Sequence, residues 1–396
     1  MSSDLLLVIS ATKAAADAGN APRKDYMVLQ AALQADVLDR AGIRRSRVAR
    51  LLSRVAGTAC AQAWLAFTLR RRYRAIVTDG EHIGIPLAVL LKLVGSRTAH
   101  VTIGHRITAA KKRPFFRWLR VHTHMSQIAL HARRQHELAT RDLGIPANRL
   151  ALIPYQVDPD FWRPQPHVTE ERLICSAGLE FRDYPTLARA VDGLDVRVVI
   201  GAASHWSKRR NTAANAAPQT NVQVSRFDYL ALRGLYAQSM LVVVPLDDTD
   251  FQAGVTTILE AMAMAKPVVV THSWGQTDVV EDRRAITRGA QPRSRGQSFL
   301  RTYAAEAGVT LEPSGFYVPP DDPAALRRAI EYLLDHPDER RRLGEAGRRT
   351  VERLTTVDQF AERMRDLVSK ALVSTSPDVH ITAEAQSVDA PLSVSA

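Results

Sequence analysis

The sequence predicts an α/β protein of two domains, each built on a parallel sheet, with a cleft between them. Three observations predict it. The chain has 396 residues, more than one hydrophobic core comfortably organises, so two domains are the starting expectation. Short apolar runs alternate with helical patterns, which is the pattern of parallel sheets. The alternation is interrupted once, by PYQVDPDFWRPQPHVTEE, whose Pro-rich composition is that of a linker. Ligands of such sheets bind beyond the C-terminal strand ends, and facing sheets put that crevice between the domains.

The elements follow in order. DLLLVIS (4–10) reads as a buried strand, and about 25–70 as helical and Arg-rich. YRAIVTDG (73–80) is a strand with a polar turn, GIPLAVLLKLVG (84–95) a helix closed by Gly95, and TAHVTIGH (98–105) a strand. Residues 115–120 and 126–142 read as helical, and RLALIPY (149–155) as a strand. After the linker come strand RLICSAG (172–178), helix 185–191, strands VRVVIGA (196–202) and NVQVS (221–225), and helix 228–237. Strand MLVVVP (240–245), a helix over ILEAMAMA, strand KPVVVT (266–271) and a strand at GFYV complete the second sheet. Helices are expected over 323–335, 337–352 and about 357–371, and 283–312 reads as an exposed insertion.

Composition narrows the class. Hydrophobic residues make up 46% and charged residues 24%, which suits a soluble globular chain. The two cysteines, Cys60 and Cys175, argue against a disulfide framework and fit a reducing cytoplasm. MSSDLLLVIS lacks the basic start and apolar length of a signal peptide, and no uncharged apolar segment reaches the roughly 20 residues of a membrane span. The expectation is a cytoplasmic chain, soluble or peripheral at the inner face of the membrane. The net charge is +12, with ten Arg and no acid between Arg40 and Arg74, and KKRPFFRWLR (111–120) adds five positive charges and three aromatics. A negative partner is implied for this half. An anionic membrane surface fits an amphipathic Arg-rich helix, with a solvated helix face as the alternative. No nucleic-acid motif accompanies the charge.

The stretch FQAGVTTILEAMAMAKPVVV (251–270) carries the chemistry. Gly254 and the pair Thr256–Thr257 precede a helix that follows a strand. The unpaired N–H groups of such a first turn, here at Val255 and Thr256, and its positive dipole end make a phosphate cradle. Glu260, about one turn in, can accept hydrogen bonds from ribose hydroxyls beside a bound diphosphate. Gln252 can bond sugar hydroxyls without adding charge. At the other strand ends, Asp79 and Glu81 are acceptor-side acid/base candidates. DDTD (247–250) contains an Asp-x-Asp, a weak metal signal.

LEAMAMAKPVVV, GQTDVV (275–280) and GFYVPPDDPAAL (315–326) resemble the C-terminal half of family 4 glycosyltransferases, and LGIPANRLALIPYQVDPDFWRP (143–164) is similar to that family's domain junction. The resemblance spans roughly residues 75–370. It implies the GT-B fold, two facing Rossmann-like domains with an interdomain cleft, and a retaining enzyme that uses a nucleotide-diphosphate sugar without metal or other cofactor. The acceptor is open, with a lipid-linked or cell-envelope glycan among the expectations. The family's donor motif is a Glu, seven residues and a second Glu. Gln252 and Glu260 stand at that spacing, so the first carboxylate is replaced and the second, which the resemblance assigns to the ribose, is kept. In SAGLEFRDYPTL (176–187) the resemblance places diphosphate-neutralising cations after Gly178. Leu179 stands where the usual Arg would be, which leaves Arg182, and Lys208 is a second candidate. His105 matches a strand-end His that reaches the donor sugar. Ala265 replaces the usual helix-end Gly, so a differently built turn is expected there.

The implied organisation is an acceptor-side domain at 1–160 and a nucleotide-sugar domain at 161–355 with the insertion near 283–312. A helix at 356–373 packs back toward the first domain, and 374–396 forms a disordered tail. Alternatives on the same architecture are a nucleotide-sugar-binding protein with lost or altered catalysis, an epimerase and a phosphorylase.

Overall fold

The computed structural model describes residues 3–13, 19–201, 221–283 and 299–375. The first domain runs through β1 (Leu5–Val8), α1 (Asp25–Leu33), β2 (Asp36–Leu38), α2 (Arg47–Val55), α3 (Thr58–Leu69) and β3 (Ala75–Thr78). It continues with α4 (Glu81–Leu93), β4 (Ala99–Gly104), α5 (Arg113–Arg117), β5 (Gln127–Leu130), α6 (Arg133–Leu143) and β6 (Leu150–Leu152). The second domain begins with β7 (Leu173–Ala177), α7 (Tyr184–Val191), β8 (Arg197–Gly201), β9 (Val222–Ser225), α8 (Tyr229–Gln238) and β10 (Leu241–Val244). Then come α9 (Val255–Ala263), β11 (Val268–Thr271), α10 (Phe299–Glu306), β12 (Gly315–Val318), α11 (Pro323–Asp335) and α12 (Pro337–Leu354). The last helix is α13 (Val357–Thr375).

Each domain holds a six-stranded sheet, ordered β2-β1-β3-β4-β5-β6 and β12-β11-β10-β7-β8-β9, with neighbouring strands paired in parallel. Strands covered on both faces read as continuous apolar runs, as in the fully buried LVVV of β10. Strand order reverses direction at β1/β3 in the first sheet and at β7/β10 in the second. These switch points open crevices at the strand ends, and they fix where each site residue described below stands.

The chain crosses between domains twice. The two crossings are stitched together where Val157 N–H donates to Thr355 O (2.9 Å) and Val357 N–H to Val157 O (3.0 Å). Arg23, in the segment before α1, pins both with bonds to Asp158 on the first crossing and Asp358 on the second. Beyond the return, Phe360, Met364, Leu367 and Val368 of α13 join Leu7, Val77 and Val101 of the first sheet in one core.

Four differences from the sequence reading have physical causes. Residues 25–70 are not helical throughout, because Asp36–Leu38 pairs with β1. A three-residue edge strand is too short to show a period of two. Residues 126–142 split into β5 and α6, since the buried QIAL pairs with β4. Part of the expected insertion is packed: Phe299, Leu300 and Ala304 of α10 are buried, while 284–298 lies outside the described residues, as does the tail from 376. Ala265 adopts the left-handed conformation itself, φ 56°, so the helix-end turn is not built differently. Its carbonyl lies where a Cβ on Gly344 would be only 2.0 Å away, so Gly344 of α12 lets that helix close on the turn.

Candidate functional site

The second domain contributes two loops from its switch point. After β7 the chain turns at Gly178 (φ 97°), where an added Cβ would lie 2.5 Å from the Arg182 guanidinium. Phe181 is also left-handed, φ 53°, and the loop folds back so that Arg182 points inward. Arg182 is buried, donating from Nε to Ala177 O (2.9 Å) and from its terminal nitrogens to Glu180 O (2.8 Å) and Thr257 Oγ1 (3.1 Å). Burial lowers its pKa, yet a guanidinium stays charged. Glu180 therefore meets Arg182 through its carbonyl, and Asp183 caps α7 by accepting from Thr186 N–H. Leu179 packs into the core beneath α7 and α11.

After β10 the chain reaches Gly254 (φ 76°), the residue before α9, with no side-chain cap. A Cβ there would lie 2.8 Å from Val244 and 3.3 Å from Arg182, so only Gly admits this turn. The uncapped first-turn N–H groups of α9, at Val255 and Thr256, stand beside the Arg182 guanidinium at the opening between the two loops, where unpaired donors and a positive dipole end favour an anion. Gln252 is buried just before it, and its Oε1 has no hydrogen-bond partner. Glu260 is buried one turn into α9 and accepts from the Tyr236 hydroxyl (3.0 Å). Burial pushes its pKa up to about 8, against the Tyr236 bond and the charges of Arg182 and Lys24.

The first domain contributes its own switch point. Asp79, after β3, accepts from Ser10 N–H (2.5 Å) and Ser10 Oγ (2.8 Å), after β1, through Oδ2. Its buried Oδ1 has no partner, and burial raises its pKa. His105 ends β4 with an exposed ring whose Nε2 donates to Asp79 O (3.1 Å). Behind it lies His131 at 5.7 Å between ring centroids, driven down to about pKa 3 by burial. Glu81 is different in kind. It is buried and accepts from the N–H groups of His105 and Arg106 (both 3.0 Å) and from Lys112. Burial opposes its charge, but His105, Lys112 and the N–H donors outweigh it and hold the pKa at about 2. Glu81 is thus an ionised anchor for the 105–106 turn, and as an acid/base group it is already occupied.

The structure therefore brings Gly178, Arg182, Gly254, Val255, Thr256 and Glu260 into one half-site, with Gln252 at its edge. Asp79 and His105 form the other. Lys208 lies outside the described residues. The DDTD loop spans the cleft: Asp250 accepts from Arg106 (3.2 Å) and Thr108 (3.0 Å), and its carbonyl accepts from Gln135 (2.8 Å). Asp248 accepts from Trp274 N–H. Among the described residues no group of three or more His, Cys, Asp or Glu is placed to hold a metal ion. Sequence reasoning missed Tyr236, Ser10 and Arg106. Only Arg106 carried a signal, its position next to His105.

Residues 181–336 match the family model described as glycosyl transferases group 1. No curated protein matches the chain. Among solved structures, a glycosyltransferase from Rickettsia africae aligns with TM-score 0.63 at 13% identity, over 93% of this chain and 99% of that one. The sucrose-phosphate synthase of Thermosynechococcus elongatus aligns with TM-score 0.64 at 16% identity, over 94% and 100%. Anabaena HepE, solved in complex with UDP and glucose, aligns with TM-score 0.61 at 12% identity, over 92% and 99%. These likenesses establish the GT-B fold. The match over 181–336, inside the second domain, together with the synthase folds, supports a glycosyltransferase.

Proposed function

We propose that this chain moves a sugar from a uridine diphosphate sugar to a hydroxyl held by the first domain, with retention at the anomeric carbon and without a metal ion. The observation that carries the reading is the opening between Gly178 and Gly254, where the uncapped start of α9 stands beside a buried guanidinium. A leaving nucleoside diphosphate gains negative charge as its bond to the sugar breaks, and fixed donors and cations there stabilise that charge. The UDP in the Anabaena HepE complex supports uridine as the base. Glu260 takes the ribose hydroxyls, the free Oε1 of Gln252 accepts from a sugar hydroxyl, and His105 faces the sugar from the first domain. The free Oδ1 of Asp79 accepts from the acceptor hydroxyl.

A lipid-linked acceptor at an anionic membrane face fits the outer surface of the first domain. Val48, Leu51 and Val55 of α2 are all exposed at helical spacing, among exposed Arg44, Arg45, Arg47, Arg50 and Arg54. Trp118 and Leu119 are exposed near Arg117 and Arg120. Phe116 is fully buried and Lys112 is bonded to Glu81, so the aromatic-basic cluster is only partly a surface. No helix among the described residues is long and apolar enough to cross a membrane.

The test is calorimetric titration with UDP and UDP-sugars, followed by product analysis. UDP binding in the presence of EDTA and transfer with the donor's anomeric configuration are expected. Activity abolished by EDTA and restored by magnesium or manganese would overturn the metal-free reading. An inverted product would overturn retention.

A further inference from the structure

Arg106 is bound into the cleft by an arrangement that no role assigned so far explains. Its backbone is fixed by Glu81, and its side chain crosses to the second domain. There the guanidinium lies 4.6 Å from the Phe251 ring centroid and 5.3 Å from that of Phe181, within cation–π range. The two rings pack edge to face at 5.0 Å. Phe181 immediately precedes Arg182, and Phe251 immediately precedes Gln252 and lies three residues before Gly254. The cation therefore rests on the two rings that flank the anion-binding opening. One terminal nitrogen bonds Asp250, while the buried Nε has no partner.

The opening needs more positive charge than its own loops supply. A helix start contributes about half an elementary charge, and Arg182 is already engaged by two carbonyls and Thr257. A diphosphate carries more negative charge than that pair balances. An arginine fork with an unused Nε–H matches phosphate oxygens in geometry as well as in charge.

We propose that Arg106 is the first domain's contribution to diphosphate binding. Asp250 holds the guanidinium beside the opening. An arriving nucleoside diphosphate takes it over, and Asp250 keeps the Thr108 bond that ties the domains together. The exchange makes the donor's diphosphate, rather than its base or sugar, the group that draws the first domain onto the site. This rests on the nucleotide-sugar reading of the site.

The experiment compares UDP with uridine by calorimetric titration of the wild-type chain, Arg106→Gln and Asp250→Asn, with thermal unfolding of each as a check on folding. Loss of a charge-assisted bond predicts about a tenfold weaker UDP affinity for Arg106→Gln, with uridine affinity unchanged. Asp250→Asn releases the guanidinium and is expected to tighten UDP. If the folded Arg106→Gln protein binds UDP like the wild type, the assignment is wrong. It is equally wrong if both variants weaken UDP and uridine alike, for Arg106 is then only half of a domain clasp. Wild-type protein that binds no nucleoside diphosphate would instead overturn the underlying reading of the site.

Discussion

The two domains share one architecture and treat charge in opposite ways. Glu81 and Glu260 are both buried carboxylates on helices that follow sheet strands, Glu81 at the first position of α4 and Glu260 at the sixth of α9. Glu81 accepts two backbone N–H groups and a Lys, and its pKa is held at about 2. Glu260 accepts from the Tyr236 hydroxyl, and its pKa is pushed up to about 8. Burial acts alike on both, so the difference lies in the donors. A carboxylate whose oxygens the protein has filled is part of the scaffold. A carboxylate left under-bonded in a cleft is set to receive donors from a ligand, at a cost to the folded state.

The largest expected effect breaks the first member of the pair. Glu81→Gln removes the charge opposite Lys112 and weakens the anchor of the 105–106 turn. Breaking one side of a buried ion pair costs about 3 kcal/mol. Urea unfolding at neutral pH is expected to show a loss of that size. The sign with pH follows from the depressed pKa: the contribution is complete above the unfolded value of about 4.5 and lost as pH falls toward the folded value of about 2. The variant should therefore lose most relative to wild type at neutral pH and least in strong acid. A neutral-pH loss below about 0.5 kcal/mol, the range of ordinary surface changes, would show that Glu81 is not an anchor.

The second prediction inverts the sign. Because Glu260 titrates at about 8 when folded, the folded state holds a proton that the unfolded chain has released. This group's contribution to stability therefore falls as pH rises from about 4.5 to 8. Glu260→Gln removes the titration, so its stability should fall less than that of wild type between pH 5.5 and 8, by about 3 kcal/mol. Urea unfolding of both proteins at the two pH values measures it. In the proposed site the ionised carboxylate accepts ribose hydroxyls, so uridine affinity should rise with pH through 8 in wild type and stay flat in the variant. Parallel stability profiles would mean that Glu260 is no more strained than Glu81.

How much of this contrast was legible in the sequence follows from what fixes each feature. The paired sheets, the helix after Gly254 and the inward carboxylate of Glu260 show in the apolar pattern, because burial dictates residue type at regular spacing. Leu179 and Arg182 were separable, since one side chain must enter the core and the other must find hydrogen-bond acceptors. The opposite fates of Glu81 and Glu260 were not legible. They depend on Lys112 and Tyr236, which lie 31 and 24 residues away in sequence and are brought close only by the fold. Strands β2 and β5 were lost for a related reason: three or four residues carry too little periodicity, and their neighbours across the sheet define them. The role of Asp250 was hidden because a carboxylate in an Asp-x-Asp suggests metal, whereas its partners Arg106, Thr108 and Gln135 come from the other domain.

The smallest expected effect concerns the outer surfaces, where the same contrast between domains recurs. On α11 and α12 arginines pair with acids one turn away, as in Arg327–Glu331, Arg341–Asp338 and Arg348–Glu352. Of the ten arginines between Arg40 and Arg74, the only ion pair among the described residues is Arg72 with Asp36, at 4.0 Å. Unpaired surface cations beside the exposed Val48, Leu51 and Val55 leave both charge and apolar area for an anionic interface. Each charge near such a surface contributes about 1 kcal/mol. Arg50→Gln with Arg54→Gln is therefore expected to weaken co-sedimentation with phosphatidylserine-containing vesicles by roughly tenfold or more at low salt, with thermal unfolding unchanged. Arg341→Gln, which removes a cation already facing Asp338, should leave vesicle binding as it was. Raising the salt should shrink the difference as screening shortens, and neutral phosphatidylcholine vesicles should bind neither protein. If the α2 double variant and Arg341→Gln sediment alike with anionic vesicles, the arginine-rich face of the first domain is a solvated surface, and the acceptor reaches the cleft from solution.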